Sequence, residues 1–314
     1  MDDMLICGAT QIEHDQRLRR DLSRLQEAGV TLNDKCKFSK SKIKFLGQII
    51  QASGVSADPN KVSAVRAMKE PSNVSEVRHF LGMTNHLGKF LLHLAEKTRP
   101  LRDLLRKSNM WTWGSQQQQA FDSIKQELTT PPRLALYDPN AETLVSADSL
   151  SYSMSAILLQ RRDNAEWKPV AYASRSLTCT EQRYAQIEKE ALASTWACER
   201  FSEFLIGKSF CIEMDHKPLV PLLGSKSLDE LPPPRIQRLR MHLMRFSYAI
   251  SHVAVHVLSR APVNSTLREE EINLYADSVV ASLPATEKRL REIRTHQDND
   301  DTIRQLKLYC GEGW

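Results

Sequence analysis

The stretch Leu144-Val-Ser-Ala-Asp-Ser-Leu-Ser-Tyr-Ser-Met-Ser-Ala-Ile-Leu-Leu-Gln160 decides how the chain is read, because it sets a carboxylate, Asp148, at the end of an apolar strand that starts at Thr143. Two more acids stand in telling places. Glu190 lies inside a helical run, Tyr184-Ala-Gln-Ile-Glu-Lys-Glu-Ala-Leu-Ala193, and Asp215 ends another strand, Phe210-Cys-Ile-Glu-Met-Asp215. A carboxylate at a strand end or on a packed helix side is costly unless something pairs with it. Three converging carboxylates repel one another unless a divalent cation lies between them. Oxygen ligands without an organised Cys/His set favour Mg²⁺ or Mn²⁺ over Zn²⁺. The combination points to metal-assisted phosphodiester chemistry.

The helical register places Glu190 further. At about 100° per residue, Tyr184, Ile187, Ala191, Cys198, Phe201 and Leu205 share one apolar arc. Glu190 falls on its flank, and Lys189, Arg200 and Glu203 fall on the polar side. Two readings stay open for Glu190: a metal ligand, or a partly buried acid that snorkels or pairs with an arginine. Composition bounds the class. A chain of 314 residues is long enough for two or three domains. Hydrophobic content of 41% and charged content of 26% describe a soluble globular protein. A net charge of +5 permits a nucleic-acid partner. No apolar run reaches the length of a membrane span, and Met1-Asp2-Asp3 lacks the basic start of a signal peptide. The six cysteines form no C-x-x-C pair and read as reduced intracellular thiols. The expected setting is intracellular, cytoplasmic or nuclear, without a membrane; no oligomeric state follows.

Several stretches in order resemble one family. Leu144 to Gln160 is similar to the first hairpin of retroelement RNase H domains, and Lys168-Pro-Val-Ala-Tyr-Ala-Ser-Arg-Ser-Leu177 to the strand after it. Glu188-Lys-Glu-Ala-Leu-Ala193 resembles their catalytic-Glu helix, and Met214-Asp-His-Lys-Pro-Leu219 their second Asp motif. Upstream, Asp2-Asp3 before an apolar strand resembles the Tyr-x-Asp-Asp hairpin of a reverse transcriptase palm. Lys35-Cys-Lys-Phe38, Phe45-Leu-Gly47, Gly54-Val-Ser-Ala-Asp-Pro-Asn-Lys61, Val77-Arg-His-Phe-Leu-Gly82 and Trp113 with Phe121 fit the same order. The resemblance is to gypsy-type LTR retrotransposon Pol and covers nearly the whole chain. It implies an α/β fold: an RNase H-like mixed five-stranded sheet with helices, after a helical thumb/connection region and a small α/β palm remnant. It also implies that Asp148 bridges two Mg²⁺ (or Mn²⁺) ions, with Glu190 and Asp215 on the second. The partner implied is an RNA–DNA hybrid, recognised through its 2′-hydroxyls.

The expected division follows the same order. Residues 1–52 form the palm remnant, with a helix from Ile12 to Ala28 stopped at Gly29 and a hairpin from Lys35 to Ile50. Lys37, Lys40 and Lys42 on that hairpin are either a solvated edge or a phosphate-contacting surface near the primer strand. Residues 53–135 are a helical thumb/connection region, with helix starts at Asp58-Pro59 and Ser72-Asn73. There Trp111, Trp113, Phe121 and Leu128 are either core or a stacking platform for bases. Pro131-Pro132 marks the next boundary. Residues 136–262 are the RNase H-like domain, ending in a basic helix with Arg235, Arg238 and Arg240 and a last strand, Phe246 to Val253. Residues 263–314 are a polar linker towards integrase.

Two departures from the family pattern shape the functional expectation. Asp2 and Asp3 stand at the polymerase pair without the fingers and the earlier palm Asp, so they are expected to be vestigial and polymerisation lost by truncation. The late RNase H Asp is missing. Ser251-His-Val-Ala-Val-His-Val-Leu-Ser-Arg260 is shorter than usual, and His256 stands closest to the absent position. Neutral imidazole is a poor Mg²⁺ ligand beside carboxylate, and a protonated one repels the metal. Two functions therefore remain open: Mg²⁺-dependent cleavage of RNA in hybrids, or a catalytically decayed retroelement protein that binds nucleic acid or does nothing.

Overall fold

Strands β4 (Thr143–Ser149), β5 (Ser153–Arg161) and β6 (Trp167–Ser176) form an antiparallel meander, with Asp148 opposite Ser155 and Ser155 opposite Ser174. Two later strands, β7 (Ser209–Met214) and β8 (Ser247–His252), add in parallel, giving the order β6-β5-β4-β7-β8. The expected mixed five-stranded sheet is thus present. The computed structural model describes residues 4–8, 10–33, 35–106, 109–129, 131–162, 166–227 and 234–253. All belong to one compact unit, Met1–Arg260. Asp2, Asp3, His256 and the linker from 263 to 314 lie outside the described residues.

The sheet is buried on both faces at its centre, which explains why β5 is apolar along nearly its whole length instead of alternating. On one face Val145, Ala147, Ala156 and Leu158 pack against α7 (Gln186–Arg200), through Ala191, Ala197 and Cys198. On the other, Leu144, Ile157 and Leu159 pack with Leu92. That second cover comes from the helical segment. Its elements are α2 (Pro59–Ala67), α3 (Val74–His86), a 3₁₀ turn at Gly88–Phe90, α4 (Leu94–Lys97), α5 (Arg99–Asp103) and α6 (Ser115–Glu127). Polar contacts fix the join. Buried His93 pairs through Nδ1 with Ser155 Oγ at 3.0 Å, and the Ala95 N–H donates to Ser174 Oγ at 3.0 Å.

The helical segment has its own core, with Val65, Val77, Phe80, Leu101, Ile124 and Leu128 essentially inaccessible. Phe121 packs against Phe80 at 4.7 Å and against Trp113 at 6.0 Å between ring centroids. Phe121 and Leu128 are therefore core, not a platform, with Trp113 half-buried against them; Trp111 sits at the rim. Both helix starts are capped. Asp58 accepts from the Asn60 N–H, and Asn73 from the Glu76 N–H while Glu76 accepts from Ser72.

The N-terminal piece departs from expectation in two ways. Its hairpin is shorter than Lys35 to Ile50: β1 (Lys42–Phe45) and β2 (Gln48–Gln51) turn at Leu46-Gly47, where both residues have positive φ. Lys35, Lys37 and Lys40 precede the first strand, because no partner strand continues the ladder past Lys42 and Gln51. A third strand, β3 (Gly54–Ala57), follows and bridges Leu134 through paired backbone bonds from Val55. Helix α1 (Gln11–Glu27) is capped by Thr10 and stops at Gly29 as expected, yet none of its residues is buried.

The other elements are α8 (Ser202–Leu205), α9 (Leu219–Leu223) and α10 (Pro234–Leu243). Helix α10 lies along α7, where Arg235 pairs with Glu188 at 2.6 Å. This second cover corrects the helical reading of α7: Lys189, placed on the polar side by periodicity, is only 8% exposed. Among the described residues no helix is long and apolar enough to cross a membrane.

Candidate active site

Parallel pairing brings the two strand-end aspartates together. Leu144, Val145 and Ser146 of β4 lie beside Cys211, Ile212 and Glu213 of β7. Asp148 lies two residues beyond the last of these pairs on β4, and Asp215 follows directly on β7, so both acids stand at the same end of the two strands. Asp148 is partly exposed and Asp215 exposed.

Glu190 comes from the second turn of α7 and is buried, at 8% exposure. The start of that helix is fixed by Glu188, whose carboxylate accepts from the Ala185 N–H at 3.1 Å. Gln186, one turn before Glu190, donates through Nε2 to Glu190 Oε1 at 2.5 Å and to the Ser149 carbonyl at 3.1 Å. The Ser149 N–H donates to the same carboxylate. One residue after Asp148, the strand backbone thus touches Glu190 directly. Burial first, then the charges of Asp148 and Asp215, push the Glu190 carboxyl up to about 8; Gln186 and Ser149 pull the other way. The three acids named from the sequence are therefore in electrostatic reach of one another. Gln186 was not singled out from the sequence, although its spacing of four residues before Glu190 on one helix is a readable signal.

The approach crosses the sheet. Val145 and Ala147 face α7, so strand alternation assigns Asp148 to the opposite face, with Leu144. The acids repel but are not gathered. Among the described residues, no group of three or more His, Cys, Asp or Glu side chains is spaced to hold a metal ion. The donor chemistry still suits a hard divalent cation. All three groups are carboxylates, and the one inside is held towards its neutral form by the other two, a repulsion that a cation relieves.

The basic residues named from the sequence divide. Lys37, Lys40 and Lys42 are exposed. Arg235 is engaged internally, with Glu188 and with its guanidinium 3.8 Å from the Tyr184 ring centre. Arg240 donates to the Gly224 carbonyl at 2.6 Å and lies over Tyr248. Arg238 is exposed. Helix α10 is thus anchored by two of its three named arginines.

Comparisons with known proteins agree with this architecture. Residues 113–212 match the family of the RNase H-like domain found in reverse transcriptase. Over those residues the chain is similar to the RNase H-like domain of reverse transcriptases, and over nearly its whole length to transposon polyproteins. It is 29% identical to the transposon Tf2-3 polyprotein of Schizosaccharomyces pombe over 98% of its own length, and spans 24% of that polyprotein. In structure it is similar to the foamy viral protease–reverse transcriptase solved with an RNA/DNA hybrid, with a TM-score of 0.64 and 20% identity, covering 82% of this chain and 36% of that one. The same viral protein solved with dsDNA gives a TM-score of 0.61 at 20% identity, over 79% of this chain and 52% of that one.

Proposed function

We propose that the segment 136–262 is an RNase H-type endoribonuclease that cuts the RNA strand of RNA–DNA hybrids, with the helical segment 53–135 as its connection region and 1–52 as part of a palm. The observation that carries this reading is electrostatic: the charges of Asp148 and Asp215 reach buried Glu190 and, after burial, help push its carboxyl up. Asp148, Glu190 and Asp215 would hold Mg²⁺ or Mn²⁺. Such a cation, when bound, supplies an activated water and offsets charge on the leaving oxygen. The protein's own part is positional. Gln186 and the Ser149 N–H fix the Glu190 carboxylate, while parallel pairing of β4 with β7 puts Asp148 and Asp215 at the same end of neighbouring strands. Similarity to a retrotransposon polyprotein and to a viral reverse transcriptase solved with a hybrid supports the substrate class.

One observation favours a second reading, a decayed enzyme that retains only nucleic-acid binding: the acids do not form a closed ligand set among the described residues. A cleavage assay on an end-labelled hybrid, with and without Mg²⁺, separates the two. The hydrolase reading expects Mg²⁺-dependent cuts that Asp148→Asn abolishes and His256→Asp increases. Cleavage that survives Asp148→Asn refutes the site. An inert protein that stays inert with His256→Asp leaves the binding module.

A further inference from the structure

A second polar cleft opens beside the carboxylates, at the join between the helical segment and the sheet. Its volume is about 430 Å³, and its lining includes Arg99, Arg102, Asp103, Arg106, Tyr152, Ser176 and Gln182. The three arginines stand at i, i+3 and i+7, so α5 and the turn after it present them on one side. Tyr152 belongs to the turn between β4 and β5, four residues after Asp148, and Ser176 pairs with Ser153 beyond the end of β4. The cleft therefore adjoins the sheet end that carries the acids.

Its charge is only partly compensated. Arg106 pairs with Asp103 at 3.2 Å. Arg102 is half-buried, and its bonds go to neutral oxygens, Thr98 Oγ1 at 3.0 Å and Asn85 Oδ1 at 3.2 Å. Burial alone pulls the Arg102 guanidinium down, with no carboxylate raising it. The Arg99 guanidinium sits over the Tyr152 ring, 4.1 Å from its centre. Among the described residues neither Arg99 nor Arg102 has a carboxylate partner. A guanidinium taken partly out of water without a counter-charge is costly, and its fork of donors fits a phosphate.

We propose that this cleft is a phosphate site for the nucleic-acid backbone, seating one or two phosphodiester groups of a strand that runs on past Asp148 and Asp215. The assignment rests on the hybrid as ligand, as in the proposed function, and names the surface that holds it. It differs from the lysines near β1 and the arginines of α10, two of which have internal partners. Contacts of this kind position a strand and carry no base information.

The test is binding of the full chain to a fluorescent RNA–DNA hybrid in EDTA, followed by anisotropy over a range of salt. Arg99 and Arg106 are exposed, so the double variant Arg99→Gln/Arg106→Gln keeps the core intact. The expected result is an affinity loss of about tenfold, equal across hybrid sequences, with a salt slope shallower by about one, because Arg106 already has Asp103 as a counter-charge. Arg99→Lys/Arg106→Lys should retain the slope, because the charge remains. Arg102→Gln should weaken binding further; if it does not fold, the exposed pair alone decides. Unchanged affinity and slope in the double variant overturn the proposal. So does competition by inorganic phosphate while hybrid binding ignores the arginines, since the cleft then takes free anions only. Because binding is read in EDTA, absence of cleavage with arginine-dependent binding removes the hydrolase reading and leaves the cleft standing. Cleavage with arginine-independent binding removes the cleft alone.

Discussion

Replacing Glu190 by Gln should stabilise the protein when no metal is present, and the size of the gain can be worked out from the site. The carboxyl has an ordinary value of 4.5 and is pushed up to about 8 in the fold, by burial and then by Asp148 and Asp215. At pH 7 the unfolded chain has released this proton while the native chain retains it. The unfolded state therefore binds fewer protons, and stability falls as pH climbs from the unfolded value towards 8. At 1.36 kcal/mol per unit, the loss at pH 7 is about 3 kcal/mol. An uncharged amide at position 190 escapes it. The amide cannot accept well from both Gln186 and the Ser149 N–H, which costs about 1 kcal/mol. The net gain expected is about 2 kcal/mol at pH 7 and near zero at pH 5, where the accumulated loss is only about 1 kcal/mol and the cost of the amide cancels it.

The assay is urea denaturation of wild type and Glu190→Gln in EDTA at both pH values, repeated in Mg²⁺. Mg²⁺ should raise the wild-type midpoint, by about 2.7 kcal/mol when present at a hundred times its dissociation constant. It should raise the variant far less, because one ligand is missing. A variant less stable than wild type at pH 7 in EDTA would refute the argument. It would mean that the charged carboxylate is satisfied in the fold, and that the three acids do not repel as the geometry requires.

Other parts of the structure give sharper single-residue expectations. Arg175 grips both oxygens of Glu181 at 2.8 and 2.9 Å, and with the Thr178 N–H holds its carboxyl down to about 2. Its contribution is present above the unfolded value and lost as pH falls towards 2, so Glu181→Gln should cost about 1 kcal/mol at pH 7 after solvent screening and nothing near pH 2, read by denaturation at the two pH values. Gly54 has φ +126°, and a Cβ there would sit 2.2 Å from the Leu134 carbonyl oxygen; Gly54→Ala should cost about 1–3 kcal/mol and lower the thermal midpoint. Phe121→Ala should cost about 3–5 kcal/mol of stability, while hybrid affinity of the folded fraction stays unchanged, since the ring packs on Phe80 and Trp113 inside the helical core.

How far the sequence could be read depends on the range of the interaction. The strand ends at Asp148 and Asp215 were visible because each closes a short apolar run, and Glu190 because its helix carries a local motif. Capping at Asp58 and Asn73 was visible for the same reason, since cap and acceptor lie within a few residues. What the pattern could not show was set by chain segments far away. Lys189 is polar by period, yet it is buried in the fold, on a helix along which a second helix starting at Pro234 packs. The lysines at 35, 37 and 40 fit a strand by composition, but nothing pairs with them there. Ser155 is one small residue within an apolar strand, yet its hydroxyl is used by His93, 62 residues earlier.

The arginines make the same point for function. Arg175, Arg235 and Arg99 are indistinguishable as letters, and all three count equally towards the net charge. Folding separates them by counter-charge. Arg175 is taken by Glu181 and Arg235 by Glu188, each at under 3 Å, so their positive field is largely cancelled within the protein. Arg99 meets an aromatic ring and Arg102 meets neutral oxygens, so their field is left to act on whatever enters the cleft. A basic run in the sequence therefore marks where cations are made, and the three-dimensional pairing decides which of them remain for a ligand. On that criterion the proposed α5 cleft keeps uncompensated cations in Arg99 and Arg102, whereas on α10 Arg235 is engaged by Glu188 and only Arg238 stays exposed.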